Sequence, residues 1–221
     1  MTFALTVGIV QYRQEKANYF MININTEQHW DNKFKRIKKF RNHPFGNLIK
    51  IMDDFIKHPG TIVDLGCALG EFPVMLKQHY PEARIIGIDF STEALNRCKK
   101  ASPEIEWLRA VLPDLSIFKD GSIDAITIIE TLEHLDRPEN TVNEMHRVLK
   151  NGGIGIISVP YGKTLDLREH VNSWNSEGTL GKFIEKTKFG KSYEFKNHGK
   201  ILFFKLNLAV VLIKQPKNAV H

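Results

Sequence analysis

Cysteine is scarce in this chain of 221 residues, which holds only Cys67 and Cys98. Two thiols cannot build a disulfide framework or a cysteine-based zinc site, so a reducing, cytoplasmic setting is the expectation. Long apolar runs are missing too. The longest, Leu206 to Ile213, is interrupted by Asn207 and falls far short of the ~20 residues that cross a bilayer. No Lys or Arg precedes the apolar first residues, so a secretory signal is not expected. Repeats, low-complexity tracts and Pro/Gly-rich linkers are also lacking. The chain therefore reads as one domain over 26–214, with an N-terminal extension over 1–25, disordered in part, and a tail over 215–221. Met21 offers an alternative start. Hydrophobic residues at 42% and charged residues at 25% are globular values, which excludes wholesale disorder.

Charge of one sign is not spread evenly. The formal net charge is +6, yet residues 61–150 carry 15 acidic and 10 basic side chains, whereas 1–60 and 151–221 carry 5 acidic each against 10 and 11 basic. An acidic middle is a poor seat for polyphosphate or a nucleic-acid backbone, so nucleic acid is not the expected partner. The basic ends point instead to a small-molecule acceptor of anionic character. In particular, Lys33, Lys35, Arg36, Lys38, Lys39 and Arg41 interleave with Phe34, Ile37 and Phe40. A solvated helix face over an apolar stripe explains that run equally well.

The middle alternates strands and helices. Thr61–Leu65, Arg84–Asp89, Ile105–Arg109, Ser122–Ile129 and Ile154–Val159 are short β-branched runs with the pattern of buried parallel strands. Between them lie helical spacings over 71–80, after Ser91 or Thr92, and over 140–149, the last ended by Asn151-Gly152-Gly153. A helix over 178–188 is followed by two runs, 191–195 and 201–213, separated by five residues, which reads as an antiparallel hairpin. The fold class is α/β, with crossovers that build a mostly parallel sheet.

Ligands of such sheets sit at the carboxyl ends of the strands, where the winding reverses. Those ends carry Asp64-Leu65-Gly66-Cys67-Ala68-Leu69-Gly70, Asp89-Phe90-Ser91, Arg109-Ala110-Val111 and Glu130 to His134. The dinucleotide fingerprint G-x-G-x-x-G fails at Ala68 and Glu71, and no phosphate loop is present. Carboxylates at Asp64 and Glu71 disfavour a pyrophosphate and tolerate a cationic, amino-acid-like ligand. Asp89 has two acceptor oxygens suited to a ribose diol, or alternatively to capping the next helix. Phe90 offers an apolar face for a purine, or else packs in the core. Cys67 reads as a small residue in contact with backbone; it lacks an evident base partner for nucleophilic work.

These four motifs, in this order, resemble the class I S-adenosylmethionine-dependent methyltransferases over roughly residues 26–213. Val63–Gly70 looks like the glycine-rich first motif and Gly87–Ser91 like the ribose-binding second. Asp120–Leu135 is similar to the fourth strand and its loop, and Glu144–Gly153 to the helix and turn before the fifth strand. The resemblance implies a Rossmann-like doubly wound sheet of order 3-2-1-4-5-7-6 and S-adenosyl-L-methionine as cofactor. It also implies that the cofactor is held by Asp64, Gly66, Cys67, Ala68, Gly70, Asp89, Phe90, Ser91, Ala110, Val111 and Glu130. Many relatives place an acidic residue before the Ala of the third-strand loop; here Arg109 stands there, and a guanidinium cannot accept a hydrogen bond.

Methyl transfer from a sulfonium is an in-line displacement that rewards alignment and exclusion of water. An oxygen acceptor also needs its proton removed, for which His134, Glu130 and His170 are the candidates. Trp30, Tyr161, His170 and Trp174 are the expected acceptor pocket, with His29-Trp30-Asp31 resembling an N-terminal lid. Glu130, Glu133 and His134 form an E-x-x-E-H string that resembles the metal-binding motif of small-RNA 2′-O-methyltransferases, with His170 or His198 to complete it. The same string occurs in small-molecule methyltransferases with no metal role implied, and no metal is expected here. The reading is methyl transfer to a small molecule or metabolic intermediate. The alternatives are an RNA 2′-O-methyltransferase and a non-catalytic cofactor-binding subunit.

Overall fold

The computed structural model describes residues 24–37, 45–160, 168–196, 200–201, 204–205 and 207–216. Helix α1 (Glu27–Arg36) starts at Thr26, whose side chain accepts the amide of His29. Glu27 in its first turn and Lys33, Lys35 and Arg36 in its last complement the helix dipole. Helix α2 (Phe45–Phe55) buries Leu48, Ile49, Ile51 and Met52. The alternation then runs β1 (Thr61–Leu65), α3 (Glu71–His79), β2 (Arg84–Asp89), α4 (Thr92–Ala101), β3 (Glu106–Arg109) and β4 (Ile123–Ile129). A 3-10 turn (Leu132–His134), α5 (Pro138–Val148), β5 (Leu149–Pro160) and α6 (Glu177–Ile184) follow. The chain closes with β6 (Tyr193–Lys196), β7 (Lys200–Ile201), β8 (Phe204–Lys205) and β9 (Asn207–Ile213).

Seven strands form one sheet in the order β3-β2-β1-β4-β5-β9-β6. The first five pair in parallel, and β9 runs antiparallel to both β5 and β6. The expected order therefore holds, with β9 as the seventh strand of that reading. Both faces are covered. Leu48, Met52, Phe72, Leu76, Leu95 and Trp107 pack in one cluster with α2, α3 and α4. Val142, Met145, Val148, Leu180 and Ile184 pack in the other with α5 and α6. Burial on both faces is why β1 and β2 read as unbroken apolar runs.

Three boundaries differ most from the sequence reading. The helix expected over 140–149 begins at Pro138 and stops at Val148, because Leu149 is already extended and pairs with Ile123. Lys214 Nζ donates to the Leu149 carbonyl at 2.6 Å. Asn151-Gly152-Gly153 consequently lies inside β5, where the register with β4 shifts. The helix expected over 178–188 ends at Ile184, whose carbonyl accepts the Thr187 hydroxyl at 2.7 Å. The strand expected over 201–213 is divided, since β7 pairs with β8 in a ribbon of its own and only β9 joins the main sheet.

Gly87 shows how tightly the cofactor-side face is packed. It stands opposite Asp64 on one side and Trp107 on the other, and a Cβ there would lie 2.4 Å from the Trp107 ring. Gly87→Ala should therefore destabilise the fold by about 1–3 kcal/mol. That corresponds to a melting midpoint lower by roughly 2–4 °C per kcal/mol, read by thermal denaturation. An unchanged midpoint would contradict this packing.

Candidate active site

The strand ends at the winding reversal are shaped by backbone before any side chain acts. The amides of Gly66 and Cys67 both donate to the Ile88 carbonyl, at 2.8 and 2.9 Å, folding the β1 loop over the end of β2. Gly66 sits at φ +72°, and a Cβ there would strike the Thr131 hydroxyl at 2.3 Å. Ala68 at φ +50° and Glu130 at φ +48° are non-glycine residues in the left-handed region. Such strain persists only where neighbours over-determine the conformation. At Ala68 the neighbour is Asp89, whose Oδ2 accepts the Ala68 amide at 2.9 Å while Oδ1 accepts that of Ser91 at 2.8 Å. At Glu130 it is β5, whose Ser158 carbonyl accepts the Glu130 amide at 2.9 Å.

Above these loops lies a cavity of about 690 Å³. It is lined by Asp64, Gly66, Cys67, Ala68, Asp89, Phe90, Ala110, Val111 and Glu130 from the expected cofactor set, and by Trp30, His134 and His170 from the expected acceptor end. Three expected residues sit elsewhere. Gly70 is the left-handed N-cap of α3 and packs against Trp107. Ser91 is fully buried as the N-cap of α4, its hydroxyl accepting the Ala94 amide and donating to Asp31. Trp174 is buried in the α5–α6 core with its ring 5.0 Å from Phe183. A large ring beside an apolar helix face gains more from that core than from a polar cleft. Tyr161 and His198 lie outside the described residues. Arg109 is not part of the lining. Its Nη2 pairs with Glu27 at 2.6 Å and its Nε donates to the Phe90 carbonyl at 3.1 Å, so it ties α1 to β2 and β3 from outside.

The acceptor end is organised by residues that sequence reasoning did not single out. Glu169 accepts at its main-chain oxygen from His134 Nδ1 at 2.9 Å and from Asn25 Nδ2 at 2.7 Å. Its carboxylate lies 2.9 Å from both His29 Nε2 and Lys33 Nζ. Burial works to raise this carboxyl, but those two partners win and hold it below its usual range. Asn25 Oδ1 in turn accepts Trp30 Nε1 at 3.1 Å, and the Trp30 ring stands edge-on to His134 at 5.0 Å. The His170 ring also stands edge-on to His134, at 4.9 Å. Because a carbonyl only accepts, His134 carries its proton on Nδ1 and Nε2 is the unprotonated nitrogen of the neutral ring. The adjacency of Glu169 to His170, and of Asn25 to the Thr26 cap, was the only sequence signal for this arrangement.

Burial sets the electrostatics. It keeps His134 neutral by lowering its pKa to about 4. It pushes Asp64 up to about 7, against the Thr127 hydroxyl that donates to its carboxylate at 2.5 Å. Asp89 is raised for the same reason, with the amides of Ser91 and Ala68 opposing. Glu130 is raised to about 8 by burial, and Glu133 well above its ordinary range by burial and by Glu130 beside it. Glu133 Oε2 has no hydrogen-bond partner among the described residues. One oxygen of Glu133 and one nitrogen each of His134 and His170 lie within 4.8 Å of one another, a set able to hold a metal ion. The cavity lining as a whole carries seven carboxyl side chains against Lys33 and Arg137. Among the described residues, that balance is the opposite of what an anionic acceptor calls for.

A raised carboxyl has a stability signature. Between the unfolded value near 4.5 and the folded value near 8, native Glu130 binds the proton that the unfolded chain has released. Stability therefore falls as pH rises through that window. Glu130→Gln removes this slope. Its melting midpoint should match the parent near pH 5 and exceed it increasingly toward pH 8; parallel curves would show that Glu130 is not a buried acid.

Residues 63–157 match the family model described as "Methyltransferase domain". The chain is 33% identical over 101 residues to trans-aconitate 2-methyltransferase of Azoarcus sp., covering 45% of this chain and 39% of that protein. It is 29% identical over 145 residues to malonyl-[acyl-carrier protein] O-methyltransferase 1 of Coxiella burnetii, covering 62% and 49%. The matched stretches thus span less than half the length of these two relatives. Among solved structures, a SAM-dependent methyltransferase from Aquifex aeolicus superposes with a TM-score of 0.63 at 18% identity, over 83% of this chain and 98% of that one. Residues 63–157 thus match a methyltransferase domain, and the sheet order and the superposition show the α/β fold that the Aquifex aeolicus enzyme shares.

Proposed function

We propose that this chain transfers a methyl group from S-adenosylmethionine to a small-molecule or metabolic-intermediate acceptor. One observation carries the reading: a single cavity joins the Asp89–Phe90 end of β2 to the Glu130–His134 end of β4. Its volume is in the range of small-molecule and cofactor sites, and its carboxyl-rich lining suits a ligand that bears a sulfonium and an ammonium. In this reading Asp89 holds the ribose diol. Phe90, Ala110 and Val111 flank the purine, with backbone at Ala110 and Val111 in place of the missing acidic side chain. Asp64, the Gly66–Ala68 backbone and Glu130 face the amino-acid portion. When bound, the cofactor supplies an electrophilic methyl on a positively charged sulfur.

The chain's own residues then have two tasks. Trp30 and His170 flank His134 and wall the acceptor end from water. His134 Nε2 takes the proton that the acceptor loses; burial keeps that nitrogen unprotonated across the neutral range. The relatives act, by their names, on trans-aconitate and on a malonyl-carrier protein, which supports an acceptor from small-molecule metabolism.

A second reading has its own observation, the Glu133–His134–His170 donor set. A divalent cation held there would polarise an acceptor hydroxyl, as in 2′-O-methylation of RNA, and His134 would serve as ligand instead of base. The acidic lining speaks against a nucleic-acid backbone.

Calorimetric titration tests the main reading. S-adenosylmethionine should bind the parent protein, and Asp89→Ala should weaken it about 10–100-fold, the loss of hydrogen bonds to a charged group. Parent-like affinity in the variant would refute the ribose placement. His134→Ala should lower kcat about 10²–10⁴-fold with cofactor affinity retained. Activity abolished by a chelator and restored by manganese would move the assignment to the metal reading.

A further inference from the structure

Two buried side-chain atoms on residues that line the cavity have no hydrogen-bond partner among the described residues, Glu133 Oε2 and Thr141 Oγ1. They belong to different ends of the cleft. The turn that carries Glu133 is fastened to the acceptor end, where the Glu133 main-chain oxygen accepts the amides of Val171 and Asn172 at 2.8 and 3.0 Å. Thr141 stands on α5, and α5 is fastened to the loop that follows β3: Arg147 donates to the carbonyls of Phe118 and Leu115, both at 3.0 Å. That loop begins at Ala110, whose amide donates to the Asp89 carbonyl at 3.1 Å, beside Phe90. Thr141 is thus grouped with the purine end. A helical threonine commonly turns its hydroxyl back to the carbonyl four residues earlier; Thr141, 1% exposed, does not. Burying a hydroxyl without a partner opposes folding, and a ligand that meets it relieves that cost.

We propose that Thr141 recognises the 6-amino edge of the adenine in S-adenosylmethionine. This rests on the cofactor reading above and deepens it by assigning the base-specific contact. The wall that follows β3 has no side chain for that task, because Ala110, Val111, Leu112 and Pro113 are all apolar. Arg109 before them only donates, and it is engaged with Glu27 and the Phe90 carbonyl. The edge of adenine presents a donating amino group next to accepting ring nitrogens. A hydroxyl suits that edge, since it accepts from the amino group or donates to a ring nitrogen. The backbone of Ala110 and Val111 flanks the base, and Thr141 meets its edge from the side of α5. Thr141 takes no part in the transfer itself. It sets which nucleoside the cleft accepts, because a base without the amino group leaves the buried hydroxyl unmatched.

The test uses the full chain, calorimetric titration and two probes: S-adenosylhomocysteine and its 6-deamino counterpart, which carries purine in place of adenine. The parent protein should prefer the adenine compound by at least about fivefold, the worth of one hydrogen bond. Thr141→Val keeps the shape and removes the hydroxyl. It should weaken S-adenosylhomocysteine at least about fivefold and leave the deamino compound bound as tightly as in the parent or more so. Without ligand, the same variant should melt at or above the parent's midpoint, because the unmatched hydroxyl is gone. Equal affinity of the parent for both probes, unchanged S-adenosylhomocysteine affinity in Thr141→Val, or an equal loss for both probes would each overturn the proposal. So would a ligand-free variant that melts well below the parent or does not fold, since the hydroxyl would then serve the fold and not the base. Failure of the parent to bind either S-adenosylmethionine or S-adenosylhomocysteine would instead sink the methyltransferase reading beneath it.

Discussion

The acceptor end of this molecule depends on one carbonyl. The main-chain oxygen of Glu169 takes the Nδ1 proton of His134 and the side-chain amide of Asn25, while the carboxylate of the same residue engages His29 and Lys33. Three segments far apart in sequence meet there: the residues leading into and forming α1, the turn after β4, and the stretch before α6. Without that acceptor the imidazole of His134 has no reason to prefer one tautomer, and Trp30, oriented through Asn25, loses its register against the ring. Neither side chain is set by its own local backbone alone. Both are set by a long-range contact whose central atom belongs to neither.

A second constraint acts on charge. Asp64, Asp89 and Glu133 are nearly excluded from solvent and Glu130 is half-buried, and burial raises each of them. Keeping four carboxyls in such a place opposes folding whenever they ionise. The fold offsets part of this by donating to them: Thr127 to Asp64, backbone amides to Asp89, Ser158 to Glu130. Glu133 Oε2 receives nothing from the described residues. A site that stabilises three of its four acids and leaves an oxygen of the fourth unmatched is arranged for a ligand and not for stability alone.

What was legible in the sequence and what was not divides along the same line. The glycine-rich loop, Asp89 and the strand order could be read because they follow from local backbone demands and from apolar runs with helices between them. Gly70 and Ser91 were read as cofactor residues because they flank the right motifs. They cap α3 and α4, which is equally local and leaves the same trace in sequence. Trp174 could not be told from a pocket residue, because a tryptophan near a polar loop has the same composition whether it faces core or cleft. Asn25 and Glu169 were invisible for a different reason. Asn25 reaches carbonyls 109 and 144 residues away and Glu169 takes His134 from 35 residues away, and a single sequence carries no record of such pairs. Net charge carries no such record either: the described lining draws most of its carboxyls from the acidic middle and adds Lys33 and Glu169 from the two ends.

Helix α1 joins the two ends of the cavity. Toward the cofactor side, Glu27 accepts from Arg109 and Thr92, and Asp31 accepts from Ser91 and Glu93. Toward the acceptor side, His29 and Lys33 reach Glu169 while Trp30 stands against His134. Each exposed ion pair contributes little by itself. Together they fix one rigid element at both ends, so a displacement of α1 from the strand ends must also move Trp30 relative to His134. Arg109, which in this chain occupies a place where many relatives carry an acidic side chain, therefore serves a purpose unrelated to the purine. It anchors through Glu27 the helix that carries Trp30. In the proposed complex it is the backbone of Ala110 and Val111, at the cavity wall, that meets the base.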